Sequence, residues 1–187
     1  EYACTFATLG TEITIVDRNE ILLGFLDREI SLALMARMEA GGVTLRQGTV
    51  AACTPSDEGL ALQLRGGEVI RCDAALVCAG RVSNVDALAL GAAGVETGDR
   101  GLIKVNEFFQ TSVDHIYAVG DVVGFPALAS TSMEQARWAM VHAFKLGYKR
   151  GLVPVLPYGV YSIPEVSMAG ATEEELQARG VEYVVGK

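Results

Sequence analysis

Thr111-Ser112-Val113-Asp114-His115-Ile116-Tyr117-Ala118-Val119-Gly120-Asp121 is an apolar run that closes on a glycine and then an acid. Ile116 to Val119 is predicted to be a hydrophobic strand, and Gly120 lets backbone come close to a ligand. Asp121 then stands at the strand's carboxyl edge, where open α/β sheets bind their ligands. Pro126-Ala127-Leu128-Ala129-Ser130 follows and opens a helix predicted from Thr131 to Leu146, with Gly147 as its stop. A helix N-terminus presents N–H groups and partial positive charge, which suit an electron-rich carbonyl.

The N-terminal third repeats this grammar. Residues 2–9 read as the last turns of a helix capped by Gly10, and residues 12–17 as a parallel strand ending in Asp17. A helix over 26–40 is predicted from apolar positions Ile30, Leu34 and Met38, ended by Gly41-Gly42; Val43 to Leu45 reads as another strand. In a dinucleotide-binding βαβ unit the acid closing the second strand lies about 20 residues beyond a glycine-rich phosphate loop. Counting back from Asp17 puts that loop just before Glu1. The first residues also carry neither a start Met nor a basic leader. The expectation is that the chain begins inside a longer protein. Asp17 would accept a ribose 2′-hydroxyl, and Arg18 beside it could turn towards a 2′-phosphate, so the pair tolerates NAD and NADP. Asp17 could equally be the plain end of a strand in another α/β protein.

Between these regions, residues 50–53, 60–64 and 68–71 read as an antiparallel meander with turns at Asp57-Glu58-Gly59 and Gly66-Gly67. Ala74 to Cys78 is predicted to be a buried strand leading into Ala79-Gly80-Arg81, and Ile103 to Val105 a short one. Gly151, Pro154 and Pro157 mark a domain change near residue 150. Beyond it, strands over 159–162 and 166–169, a helix over 172–179 and a strand over 182–185 are expected.

Composition narrows the function classes. Half of the 187 residues are hydrophobic and 21 are glycine, which leans towards α/β architecture. A formal net charge of −8 supplies no basic footprint for nucleic acid and fits a cytoplasmic protein. No apolar run of about 18 residues is present, so no membrane span is expected. Cys4, Cys53, Cys72 and Cys78 form no CxxC pair, and only two His accompany them. Buried inert thiols are expected rather than a metal site. His115 and His142 read as structural or surface residues.

The eleven residues ending at Asp121 match the second flavin motif of the pyridine nucleotide–disulfide oxidoreductase family, which the chain resembles over nearly its whole length. Ala79-Gly80-Arg81 is similar to the motif closing that family's nicotinamide-nucleotide domain. Tyr161-Ser162-Ile163-Pro164-Glu165, with Gly170-Ala171-Thr172-Glu173, looks like the start of its interface domain. The resemblance implies an FAD/NAD(P)-binding, three-layer ββα, Rossmann-like α/β fold. It would be incomplete and followed by the start of an α+β dimerisation domain. Residues 1–84 would complete the NAD(P) domain, 85–150 would be the second half of the FAD domain, and 151–187 would begin the interface domain.

The resemblance also implies roles. Asp121, after Gly120, would hold the FAD ribityl chain, and backbone of Ala127, Leu128, Ala129 and Ser130 would meet the flavin pyrimidine edge. Gly80 would approach the NAD(H) ribose or nicotinamide, Asp17 the adenosine ribose, and Val50 the adenine. Glu1 would stand beside the nicotinamide. The plainer alternatives are a helix or turn cap for Asp121, a tight turn for Gly80 and core packing for Val50.

Within the family, Gly120 to Ser130 with Met133-Glu134-Gln135 and Arg137 most resembles the branch that passes hydride between NADPH and NAD through FAD. Leu22 to Asp27 and Asp86 to Leu90 point the same way. Val82-Ser83-Asn84 departs from the pattern, since many relatives have a Pro before the Asn. A disulfide reductase like dihydrolipoamide dehydrogenase is the first alternative; its Cys pair would lie upstream. A non-catalytic nucleotide-binding module is the second. Homo-oligomerisation through the interface domain is expected. The isolated chain is expected neither to bind FAD tightly nor to turn over.

Overall fold

The computed structural model describes residues 1–152 and 155–187; Pro154, one of the expected boundary residues, lies outside them. Contacts divide the chain into two units, Glu1–Val77 with Pro157–Lys187, and Cys78–Leu156.

In the first unit, α1 (Tyr2–Thr8) leads to β1 (Thr14–Asp17), α2 (Arg28–Ala40) and β2 (Thr44–Gln47). β1 and β2 pair in parallel, Thr14 opposite Thr44 and Asp17 opposite Gln47, as the helix between them requires. Cys4, Leu34, Met38 and Val43 form the core, with Ile13, Ile15 and Leu45 packed on it. The buried stripe of α2 is Ser31, Leu34 and Met38, and Ile30 is exposed. This corrects the predicted stripe by one position: the Ser31 hydroxyl turns inward to donate to Leu23 O at 3.2 Å.

β3 (Val50–Ser56), β4 (Gly59–Leu64) and β5 (Val69–Cys72) form the expected antiparallel meander, with a register irregularity between Val50 and Ala52. Only Cys4 of the four thiols is buried. Cys53 is exposed and Cys72 half-buried, because the meander presents much of its surface to solvent; Cys78 is exposed on a segment outside any strand. β6 (Pro157–Val160) and β7 (Val166–Ala169) make a hairpin, Pro157 opposite Ala169 and Val160 opposite Val166. The first of these strands stops before Tyr161, whose N–H goes to Glu1 Oε1 at 2.8 Å instead of to a ladder. α4 (Glu173–Ala178) starts on a capping box of Thr172 and Glu175.

In the second unit, Val85, Val95, Ile103 and Ala118 form a core with Val113, Ile116, Val122 and Val123 around it. α3 (Ala129–Ala143) is its long helix. The strands predicted over 103–105 and 116–119 are not formed; Ile103 and Tyr117 make only isolated bridges, to Thr97 and Gln110. The run 74–78, in the first unit up to Val77, and residues 182–185, also in the first unit, form no strand either. A strand exists only where a neighbour accepts its ladder bonds. Around Tyr117 the Thr111 N–H donates to Ile116 O at 2.9 Å and the Ala118 N–H to Phe109 O at 3.0 Å, but the pairing extends no further into a ladder, and Leu76, Val77 and Val184 are exposed.

α3 ends earlier than the predicted Leu146. Lys145 adopts φ +53, its N–H donates to His142 O, and the Leu146 N–H reaches back to Val141 O at 2.9 Å. That is the same closing motif made by Gly10 after α1, Gly42 after α2 and Gly180 after α4. A lysine in the left-handed position does here what the other three ends assign to glycine, so the glycine rule pointed two residues too far.

Candidate functional site

The corner expected to meet a ligand lies in the second unit and is built by two elements. Gly120 begins a single 3-10 turn (Gly120–Val123). It has φ +82, and a Cβ there would come within 2.9 Å of Ser132 Oγ. Only glycine suits that conformation beside that helix. Its buried N–H donates to Gln135 Oε1 at 2.7 Å, which ties the turn to α3 one helical turn beyond Thr131. Asp121 therefore projects from a fixed point. Its side chain is 45% exposed, and Oδ2 accepts from Arg81 Nη2 at 2.8 Å.

The start of α3 has no side-chain cap among the described residues. Leu128 is the N-cap, extended and without any side-chain cap bond, and its carbonyl takes the Ser132 N–H and hydroxyl at 2.9 and 3.0 Å. Ala127, Ala129 and Ser130 are exposed beside it. Thr131 is fully buried, and its Oγ1 has no partner among the described residues. Further along α3, buried Glu134 pairs with Lys149 and, at 3.6 Å, with Arg137. His142 Nδ1 lies 2.7 Å from the Tyr117 hydroxyl, and its ring stacks on Phe108. His115 is exposed.

Gly80 also belongs to this unit. It has φ +118, and nothing lies within 4 Å of the position a Cβ would take, so backbone approach is open there. The other predicted residues belong to the first unit. Asp17 ends β1 half-buried, with Oδ1 accepting the Asn19 N–H at 2.8 Å. Arg18 is exposed, and its carbonyl accepts from Gln47 Nε2 at 3.4 Å. Val50 is 42% exposed at the start of β3. Glu1, the N-cap of α1, gives its carboxylate to Tyr161.

These residues fit the groups the sequence implies. A carboxylate with an exposed oxygen accepts from hydroxyls, an uncapped helix N-terminus donates to carbonyls, and the missing Cβ of Gly120 lets the turn that carries the acid pack directly on that helix. Sequence reading missed Arg81, Gln135 and Thr131. Gln135 had a signal, since it stands four residues from Thr131 and so shares its helix face. Arg81 stands out in the sequence only as part of Ala79-Gly80-Arg81.

The profile of the Pyridine nucleotide-disulphide oxidoreductase family matches residues 1–137. The chain is 46% identical over 187 residues to the soluble pyridine nucleotide transhydrogenase of Mycobacterium bovis strain BCG, and 42% identical over 188 to that of Vibrio atlanticus. Each match covers all of this chain and 40% of the relative. Among solved structures, LpdA from Mycobacterium tuberculosis superposes with TM-score 0.87 at 27% identity, over 97% of this chain and 40% of its own. The HOCl-induced flavoprotein disulfide reductase RclA from Escherichia coli gives 0.85 at 26%, over 97% and 42%. Among the described residues no helix is long and apolar enough to cross a membrane.

Proposed function

Since the chain belongs to the pyridine nucleotide-disulphide oxidoreductase family, we propose that the whole protein containing it moves hydride from NADPH to NAD through bound FAD. The observation that carries the flavin reading is the Gly120–Asp121 corner beside the uncapped start of α3. The choice of branch rests on similarity to transhydrogenases, 46% over the entire chain against 26% for the reductase RclA.

FAD supplies the hydride-carrying ring; the protein supplies orientation and field. In this reading Asp121 accepts from the hydroxyls of the ribityl chain. The N–H groups at Ala129 and Ser130 face the pyrimidine edge, where the helix end favours negative charge. Gly80 admits the nicotinamide nucleotide, Asp17 holds its adenosine ribose, Val50 borders the adenine, and Arg18 faces a 2′-phosphate. Glu1 stands near the nicotinamide. One nucleotide site serves both substrates in turn, which predicts ping-pong kinetics. No protein nucleophile or metal takes part.

Residues 1–84, 85–150 and 151–187 are assigned to the NAD(P), FAD and interface domains, and assembly is assigned to the last of these. Exposed Tyr161, Ile163 and Val184 support that assignment. A cytoplasmic location accompanies the reading.

The test uses the whole protein. Flavin absorbance on purification and reduction of an NAD analogue by NADPH are expected. A colourless protein without that exchange overturns the reading. The disulfide reductase alternative is favoured by the likeness to RclA. It predicts NADH-dependent reduction of a disulfide, blocked by thiol alkylation, and little exchange between nucleotides.

A further inference from the structure

The geometry points to Arg81 as a positioning residue that sets the Asp121 carboxylate for the cofactor's polyol chain. This rests on the flavin reading of the Gly120–Asp121 corner and deepens it. Arg81 follows Gly80 directly, so one backbone carries both the expected nicotinamide contact and the partner of the flavin-side acid. The segment is held just beyond by the Ser83 N–H, which donates to Arg100 O at 2.9 Å. Asp121 is held from the other side by the Gly120 N–H on Gln135. Two anchored backbones thus present the two charges to each other at 2.8 Å.

The pairing orients the acid and does not occlude it. Only Oδ2 is engaged by Nη2, and the Asp121 side chain is still 45% exposed. A carboxylate has about four acceptor positions, so one guanidinium leaves Oδ1 for hydroxyl donors. Fixing one oxygen removes rotamer freedom that a ligand would otherwise have to restrain. Arg81 is itself 79% exposed, so the bridge does little for the fold alone. A ligand seated over it would exclude water and strengthen it.

The experiment measures FAD dissociation from the whole protein, using deflavinated protein and flavin fluorescence, for wild type, Arg81→Gln, Arg81→Lys and Asp121→Asn. Weakening by about fivefold is expected for Arg81→Gln, which corresponds to roughly 1 kcal/mol. Arg81→Lys should recover part of it, and the melting temperature without flavin should hardly move. Arg81→Gln should do nothing more once Asp121→Asn is present. Two results overturn the proposal: unchanged affinity in Arg81→Gln, or tighter binding, which would mean that Arg81 competes with the cofactor. A wild type that binds no flavin sinks the functional reading itself, so the two failures are distinguishable.

Discussion

The N-termini of α2 and α4 are closed by the protein itself, whereas that of α3 meets no capping side chain among the described residues. Glu174 Oε1 accepts the Arg28 N–H at 2.9 Å, and Asp27 Oδ1 accepts the Glu173 N–H at 2.7 Å. Two helix starts 146 residues apart in sequence thereby exchange carboxylates, and α4 adds its own capping box. α3, the longest of the helices described, begins behind Leu128, which offers no acceptor from its side chain. Each unsatisfied N–H costs free energy if buried without a partner. The first two helix ends meet that cost within the fold and so are structural. The third leaves it to solvent or a ligand, and the glycine corner with its carboxylate stands beside it.

The largest way to break this contrast is Gly120→Ala. The left-handed φ alone costs about 1–2 kcal/mol for a residue with a Cβ, and the new methyl would also press on Ser132. The whole protein should unfold at lower urea concentration and purify with more than tenfold weaker flavin retention. Normal stability together with normal flavin content would show that the corner tolerates a side chain and is not shaped for close approach.

Asp121→Asn comes next. It keeps the shape and removes the charge, which should weaken FAD by about 2 kcal/mol, roughly thirtyfold. Folding stability should change little, because the acid is 45% exposed and its ion pair lies on the surface. Equal losses of stability and flavin would mark Asp121 as a turn cap.

The closed ends predict the opposite pattern. Asp27→Ala should cost about 1 kcal/mol of stability and leave flavin content unchanged. If it sheds flavin as Asp121→Asn does, the division into structural and ligand-facing helix ends fails. The Glu174 carboxyl is held below the ordinary glutamate range, chiefly by its own backbone N–H and then by that of Arg28, against some desolvation. A depressed folded value means that its contribution is full above the unfolded value of about 4.3 and fades as pH falls through the folded one. Glu174→Gln should remove that part of the acid-side pH dependence, read by denaturation titrations between neutral pH and pH about 3.

The sequence carried most of the α-helical content and the meander, because both are settled locally by periodicity, glycine stops and turn residues. It also carried the parallel pairing of β1 and β2 and the corner at Gly120. It failed where structure depends on a neighbour. Residues 74–78 and 116–119 have the composition of central strands, yet the first form no ladder and the second only the single bridge from Tyr117 to Gln110, and Val77 is 83% exposed. Composition records what a strand would bury, not whether a partner is at hand. The exchange between Asp27 and Glu174 was equally invisible, since nothing local to either acid says that it caps a distant helix. Arg81 was hidden for the same reason: an arginine after a turn glycine reads as solvated until Asp121 is found 2.8 Å away.

The smallest effect gives the sharpest test of the open end. Leu128→Asp would install at α3 the kind of acceptor that α2 and α4 obtain from each other. A new N-cap contributes about 1 kcal/mol, and the loss of a half-buried leucine removes roughly as much. Stability without flavin should therefore change by less than about 0.5 kcal/mol. Flavin affinity should nevertheless fall severalfold, because the N–H groups that would meet the pyrimidine edge now bond to Asp. The added negative charge opposes any electron density placed there. Leu128→Asn caps the helix without the charge and should lose less. The difference between the two variants isolates the electrostatic part, and it should shrink as salt is added. If Leu128→Asp binds flavin as tightly as wild type, then the N–H groups starting α3 are not what the cofactor meets. The contrast between its two kinds of helix end would then be a matter of folding alone.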